Sequence, residues 1–172
     1  MLYTCVRVNR VSQFKYRLVY TQFIKKMQLS SSAFGNQASI PSKYTCDGAN
    51  ISPPLRIESL PENTKSLAII AHDPDAPGGD FIHWVVWNIE PNVKEIPENS
   101  IASPSVEGVT SFGSVGYGGP CPPSGNHRYV FTLYALDRML DLDTADKTQL
   151  KTAMDGHILE TAQLIGLYER KK

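Results

Sequence analysis

Long apolar segments are missing from this sequence, and acidic residues are missing from its N-terminal part. No run approaches the roughly 18 apolar residues of a membrane helix, so the sequence predicts no membrane span. The first 27 residues carry six Lys and Arg side chains and no Asp or Glu, which leaves 11 basic against 17 acidic side chains in the remainder. A body this acidic is a poor general binder of nucleic acid, so we expect no nucleic-acid partner.

Three interpretations of the basic N-terminal segment are open. A secretory signal needs an uninterrupted apolar stretch, and Lys15 and Arg17 break the one present here. A mitochondrial-type transit peptide fits the basic, acid-free composition but not the low Ser and Ala content. We favour the third interpretation, in which residues 1–26 are an extension outside a single domain of residues 27–172. We expect this extension to be dispensable for folding.

Cysteine is also scarce, with three residues in the chain. Cys5 lies in the N-terminal extension, which leaves Cys46 and Cys121 as residues that could pair. Their spacing matches no zinc motif, and a chain of 172 residues is long enough to fold without a disulfide. We therefore predict two reduced thiols in a cytoplasmic protein, and no metal site.

Regular structure is predicted mainly as strands. Apolar runs over residues 66–72, 83–89 and 128–136 have the length and the β-branched and aromatic content of strands. The first two are neighbours in sequence, so antiparallel pairing is expected. Many Pro and Gly residues interrupt the second half of segment 91–126, which predicts a long ordered loop of the kind that often carries function.

Helices are predicted only near the C-terminus. One covers residues 145–154, with Asp143 or Thr144 as its N-cap. A second covers residues 157–165, where four apolar side chains have helical spacing, and a short final strand over 167–170 is also open. The sequence therefore predicts one mainly β domain with one or two late helices.

Polar side chains gather where the predicted strands begin or end. If strands 66–72 and 83–89 pair, Asp73 leaves one strand where His83 enters the next. His127 and Tyr129 have the same parity on the third strand, so both point to one face, and Arg128 points to the other. If that strand begins at the same end of the sheet, Asp73 and the two imidazoles converge on one pocket. Gly116, Gly118 and Gly119 would bring free backbone N–H groups close to a ligand.

Such a pocket suits a small anion, for example a phosphate monoester or diester. We expect His83, next to Asp73, to be the imidazole that carries the positive charge. No Ser lies in a nucleophile elbow, and no His or Glu spacing supports a metal. The sequence therefore predicts a binding protein, with no catalytic residue, cofactor or metal.

Three motifs in this order resemble the phosphatidylethanolamine-binding protein family. They are Asp73-Pro-Asp-Ala-Pro77, His83-Trp-Val-Val-Trp-Asn88 and Gly118-Gly-Pro-Cys-Pro-Pro-Ser-Gly-Asn-His-Arg-Tyr129. The segments 40–48, 51–55, 156–159 and 166–170 are similar to its bacterial and archaeal branch, often called Raf kinase inhibitor-like. The resemblance covers about residues 27–170, and nothing in residues 1–26 matches.

The resemblance implies a central antiparallel sheet, a smaller flanking sheet, C-terminal helices and a pocket for phosphate-like head groups. It assigns Asp73, His83 and Tyr129 to the pocket and Gly119, Pro120 and His127 to its rim, with Asp75 and Arg128 as two further motif residues. We expect Arg128 to pair with Asp75 behind the pocket.

Two functional classes follow. The first is a non-catalytic binder of a phosphorylated small molecule or lipid head group. The alternative is a protein-interaction module that inhibits a kinase or protease through its surface loops, because eukaryotic members of the family regulate such enzymes. A homodimer is a further open partner.

Overall fold

The computed structural model describes residues 25–170 of the 172-residue chain. A short 3-10 turn covers Ser42–Tyr44. The strands and the helix are, in chain order, β1 Gln28–Ser30, β2 Ala38–Ser39, β3 Leu55–Glu58, β4 Ser66–Asp73, β5 Phe81–Ile89, β6 Glu95–Ile96, β7 Val106–Glu107, β8 His127–Leu136, α1 Lys147–Met154 and β9 Ile158–Tyr168.

Two sheets organise these elements. The larger has six strands in the order β2-β9-β8-β4-β5-β7, and the smaller has three in the order β1-β3-β6. Every pairing is antiparallel except that of β2 with β9. The expected central antiparallel sheet with a smaller flanking sheet is confirmed.

Strand β4 lies in the middle of the large sheet and is buried along nearly its whole length. It pairs with β5 on one side, which confirms the expected antiparallel pair, and with β8 on the other. Side chains of one face pack between the two sheets, and those of the other face pack with Leu150 and Met154 of α1. Burial on both faces explains why β4 reads as a continuous apolar run.

The predicted second helix over residues 157–165 is wrong. This segment belongs to β9, which pairs with β8 from His127 to Leu136. Ala162, Leu164 and Tyr168 are buried at alternating positions, as in a strand. Gly166, which resembles a helix stop, lets the strand approach Ile40, whose Cγ1 lies 2.4 Å from where a Cβ would stand.

The first helix is present but begins later than predicted. Asp146, and not Asp143 or Thr144, is the N-cap, because its side chain accepts from the backbone N–H of Gln149 and the Gln149 side chain accepts in return from Asp146 N–H. Gly156, with φ of 75°, follows the helix and leads into β9. None of the described residues lies in a helix long and apolar enough to cross a membrane.

Cys46 and Cys121 form a disulfide, so the prediction of two reduced thiols is wrong. Cys46 N–H donates to the carbonyl of Pro120 at 3.1 Å, which aligns the two segments. The two Cα atoms lie 5.4 Å apart, a separation that a disulfide spans. Contact between segments 75 residues apart in sequence is a tertiary feature that cysteine spacing does not encode.

Candidate functional site

Four polar side chains meet where β4 ends and β8 begins. Asp73 is the last residue of β4, and His127 is the first residue of β8. They are buried together with His83 and Tyr129. We call these four residues the inner cluster. The sequence argument that brought them to one end of the sheet is thus matched by the geometry.

Asp73 pairs with His127 and not with His83, which corrects the sequence expectation. The Oδ2 atom of Asp73 lies 2.7 Å from Nδ1 of His127, and the side chains are 5% and 9% exposed. Its other oxygen accepts the backbone N–H of Asp75 at 2.8 Å. Since an ionised carboxylate only accepts, His127 carries a hydrogen on Nδ1 and Nε2 is left for another partner.

A β-bulge explains why His83 does not reach Asp73. The β4–β5 register pairs Ala71 with Trp84 and His72 with Ile82, so His83 is the extra residue between them. Its Nδ1 lies 2.6 Å from the carbonyl oxygen of Gly118, and its own carbonyl accepts the Gly118 N–H at 2.9 Å.

These contacts fix the chemistry of the His83 ring. A carbonyl oxygen only accepts, so Nδ1 carries a hydrogen and Nε2 is the free nitrogen. Burial lowers the pKa of His83, and the Gly118 carbonyl and the charge of Asp73 oppose this only in part. Contrary to the expectation that His83 is the charged imidazole, its burial favours the neutral ring in the folded protein.

Tyr129 brings a phenol into the same space. Its ring meets that of His83 edge to face, with centroids 5.1 Å apart. Phe112 also meets His83, at 5.4 Å, and is itself 48% exposed. The Tyr129 hydroxyl is buried without a hydrogen-bond partner among the described residues, although Asp73 and the backbone of Cys121 lie near. Burial, followed by the charge of Asp73, raises the pKa of Tyr129.

The wall beside the cluster is the glycine loop, residues 118–121, but its amides do not form the expected anion nest. Gly118 N–H is already bonded to His83, and Gly119 N–H donates to Oδ1 of Asn50 at 2.7 Å. Glycine is needed at 119 for packing instead, since a Cβ there would lie 2.6 Å from the Tyr44 carbonyl oxygen. Pro120 is buried next to this contact.

Asp75 and Arg128 pair on the outside, as expected. Nε and Nη2 of Arg128 donate to the two Asp75 oxygens at 2.9 and 2.6 Å, and the Arg128 backbone N–H donates at 2.9 Å. The Arg128 side-chain bonds hold the pKa of Asp75 at about 2, helped by the backbone bond. Arg128 points away from the inner cluster, because successive side chains of β8 alternate between faces.

A groove of about 1000 Å³ borders the same end of β8. Its lining includes Asn126, directly before His127, and Tyr168, which pairs with His127 in the sheet. Across the described ranges, no group of three or more His, Cys, Asp or Glu side chains is arranged to hold a metal ion.

Sequence reasoning missed several residues of this site. Asn50 and Phe112 both contact the glycine loop, since a Cβ on Gly118 would lie 2.2 Å from the Phe112 ring. Asn50 is 69 residues from its partner, and no local pattern signals such a bond. Phe112 could have been noticed as one of two aromatic residues, with Tyr117, in the glycine-rich segment before the third motif.

Known proteins are similar to this chain in sequence and in fold. A UPF0098 protein from Archaeoglobus fulgidus is 53% identical over 147 residues, which are 82% of this chain and 50% of that protein, so this chain spans half of its length. A UPF0098 protein from Methanothermobacter thermautotrophicus is 51% identical over 150 residues, 84% of this chain and 99% of that one.

Solved structures agree. A phosphatidylethanolamine-binding protein homologue from Chlamydia trachomatis is 45% identical with a TM-score of 0.82, covering 85% of this chain and 99% of that chain. YbcL of Escherichia coli is 30% identical with a TM-score of 0.80, covering 86% and 100%. The sequence model described as phosphatidylethanolamine-binding protein matches residues 30–169. The chain belongs to the phosphatidylethanolamine-binding protein family.

Proposed function

We propose that this protein binds a small anion, such as a phosphate monoester or a phospholipid head group, on the inner cluster. Asp73, His83, His127 and Tyr129 would contact or orient the anion, and Gly119 and Pro120 would form one wall. No reaction is assigned to these residues, so the proposal is a binding protein and not an enzyme.

The observation that carries the proposal is the Tyr129 hydroxyl. A buried hydroxyl without a partner costs about 1–3 kcal/mol, and such groups call for a ligand or an ordered water. The Nε2 atoms of His83 and His127 make no hydrogen bond within residues 25–170. One phenol and two imidazole nitrogens are thus available together, and an anion can accept from all three when the rings are protonated.

His127 lies at the centre of the proposal because Asp73 holds its ring in place. The contact with Asp73 occupies Nδ1, which leaves Nε2 to face an anion. His83 would contribute a positive charge only after taking up a proton, which its lowered pKa opposes at neutral pH and permits as the pH falls. Anion affinity should therefore rise as pH falls.

Calorimetric titration tests this with two probes. O-Phosphoethanolamine represents the head-group class, and sulfate measures the pH dependence, because its charge does not change between about pH 5.5 and 7.5. Tyr129→Phe removes only the hydroxyl and should weaken binding by about 1 kcal/mol while leaving the fold as stable or more stable. His127→Gln should weaken binding further, by about 1.5–3 kcal/mol.

The matched control is Arg128→Ala, which removes a cation next to His127 from the opposite face. It should bind both anions like the unchanged protein and act on stability. Equal binding by Tyr129→Phe, His127→Gln and the unchanged protein, or sulfate affinity that does not rise at pH 5.5, would exclude the inner cluster as the anion site.

The second candidate function is inhibition of a kinase or protease through surface loops. It is favoured by the exposed apolar side chains Ile101, Phe112 and Val115, which lie on the segment between β6 and β8. Such a function would survive Tyr129→Phe and be lost when Phe112 and Val115 are both replaced by Ser.

We also propose where the domain begins. Residues 1–24 lie outside the described residues, and the domain is proposed to begin at Met27, which is 2% exposed and whose N–H donates to Glu160. A chain starting there should melt within a few degrees of the full chain.

The cytoplasmic location stays a prediction. The Cys46–Cys121 disulfide removes the support that this prediction drew from reduced thiols.

A further inference from the structure

A second cavity, of about 310 Å³, lies apart from the four inner-cluster residues. It is lined by segments 50–52, 99–101 and 116–117 together with Trp84 and Glu107. Its volume is at the lower end of the range for small-molecule sites, about 300–1,000 Å³. We call it the Glu107 cavity.

The charge of this cavity comes from one carboxylate. Glu107 is half-buried, and its Oε1 accepts from the indole Nε1–H of Trp84 at 2.7 Å. No ion pair joins Glu107 to a Lys, Arg or His within residues 25–170, and none of those residue types lines the cavity. By contrast, Glu98 nearby in sequence is bonded to Lys43 and Tyr44.

The free oxygen of Glu107 faces open space on the Gly116 side. A Cβ on Gly116 would stand 3.9 Å from Oε2, with no closer atom in its way. The backbone of Gly116 has φ of 101°, where side chains are strained, so glycine keeps this approach open. A ligand atom can therefore meet a carboxylate already held in place by an indole.

Aromatic side chains supply the rest of the environment. The rings of Trp84 and Tyr117 stand perpendicular, at 87°, with centroids 5.7 Å apart. The Tyr117 hydroxyl donates to the Tyr44 carbonyl at 3.0 Å, which fixes its orientation. Aromatic rings next to a carboxylate favour an organic cation, whereas Mg²⁺ or Ca²⁺ needs about six oxygen ligands.

We propose that the Glu107 cavity binds a small organic ammonium ion, whose N–H group donates to Oε2 of Glu107. This site lies outside the proposed anion function and does not depend on it. Asn50 lines the cavity and also accepts the N–H of Gly119, so the two sites share one structural residue.

The two indole N–H groups of the protein provide an internal comparison in a nitrogen–proton NMR spectrum. The chain has two Trp residues, so the spectrum of the full chain has two such signals. Trp84 donates to Glu107, whereas Trp87 donates to the Leu142 carbonyl at 3.2 Å in the other core cluster. Ethylammonium chloride, added at constant ionic strength against sodium chloride, should shift the Trp84 signal saturably and leave that of Trp87 in place.

Variants and a neutral probe separate this site from general salt effects. Glu107→Gln keeps an acceptor for the indole but removes the charge, and should weaken ethylammonium binding about tenfold or more. Glu90→Gln removes an exposed carboxylate of the turn after β5 and should change nothing. Ethanol, the neutral counterpart of similar size, should not shift Trp84.

Three results would overturn the proposal. They are no saturable shift of Trp84, equal binding by Glu107→Gln, and an equal shift with ethanol or sodium chloride. Because the chloride concentration stays constant and no phosphate or sulfate is added, each of these outcomes leaves the inner-cluster proposal standing.

Discussion

His127 and Arg128 are consecutive residues, yet they hold two carboxylates in opposite environments. His127 meets Asp73 inside, with side chains 9% and 5% exposed. Arg128 meets Asp75 outside, with side chains 55% and 30% exposed. The alternation of β8 and the two-residue step from Asp73 to Asp75 create both pairs from two short segments, residues 73–75 and 127–128.

The inner pair is suited to binding a ligand, and the outer pair is suited to anchoring the strand. The outer pair is bidentate, and a backbone bond completes it, so Arg128 has one strong partner and fixes the strand to the preceding loop. The inner pair uses one nitrogen of His127 and leaves the other free. A ligand can bond to the free, buried nitrogen of His127. The outer pair leaves little bonding capacity of this kind.

The largest expected effect is a loss of stability when the disulfide is removed. This disulfide holds the glycine loop next to the inner cluster. The Cys46–Cys121 bond closes a loop of 75 residues, so replacing both by Ser should lower the free energy of unfolding by about 4 kcal/mol. Urea unfolding without reductant measures this. Sulfate affinity should fall as well, because Pro120 and Gly119 lose an anchor.

Reduction of the unchanged protein by dithiothreitol is the control and should reproduce the loss of stability. A double variant as stable as the disulfide-bonded protein would show that the loop is held by its hydrogen bonds alone. The Trp84 indole N–H should keep its signal in either case, since its partner Glu107 lies outside the glycine loop 118–121.

The second effect sets the two carboxylates against each other directly. Asp73→Ala leaves a buried imidazole and the Asp75 amide without their partner, so it should cost about 3 kcal/mol and abolish sulfate binding. Asp75→Ala breaks an exposed pair and should cost less than about 1 kcal/mol, with binding retained. Chemical unfolding and calorimetry on both variants test the contrast. Equal losses of stability would mean that inner and outer positions do not differ in energy.

Much of this arrangement is encoded locally in the sequence. The alternation around Tyr129 predicts which side chains share a face, and it correctly sends Arg128 outward to Asp75. The apolar run of β4 predicts a buried strand with Asp73 at its end. These features follow from periods of two residues and from short connections, which act within one strand or hairpin.

The remaining features depend on contacts that no local pattern specifies. The bulge at His83 shifts the register between β4 and β5. As a result Asp73 pairs with His127 and not with His83. Position 119 needs glycine because Tyr44 and Asn50 approach its backbone closely. Asn50 is 69 residues away from it in sequence. In β9, the spacing of the apolar residues fits both a helix and a strand. The segment forms a strand because it pairs with β8.

The smallest effect is a difference in the pH range over which the two regions lose stability. Arg128 lowers the pKa of Asp75 from 3.8 to about 2, so the folded state favours the ionised carboxylate. The stability this pair gives is present above about pH 3.8 and is lost as pH falls towards 2. Asp75→Asn should therefore differ from the unchanged protein at pH 6 by less than about 1 kcal/mol, and this difference should shrink as the pH falls through about 2.

On the inner side the sign is the same but the range is higher. Burial lowers the pKa of His83 below 6.5, so the unfolded chain binds a proton that the folded protein excludes. Stability should begin to fall as pH drops below about 6.5, and an anion bound on the inner cluster should oppose that fall by favouring the protonated ring. Urea unfolding of the unchanged protein at a series of pH values, with and without sulfate, measures both. Sulfate that stabilises equally at pH 7.5 and 5.5 would show that no histidine of the inner cluster takes up a proton with the anion.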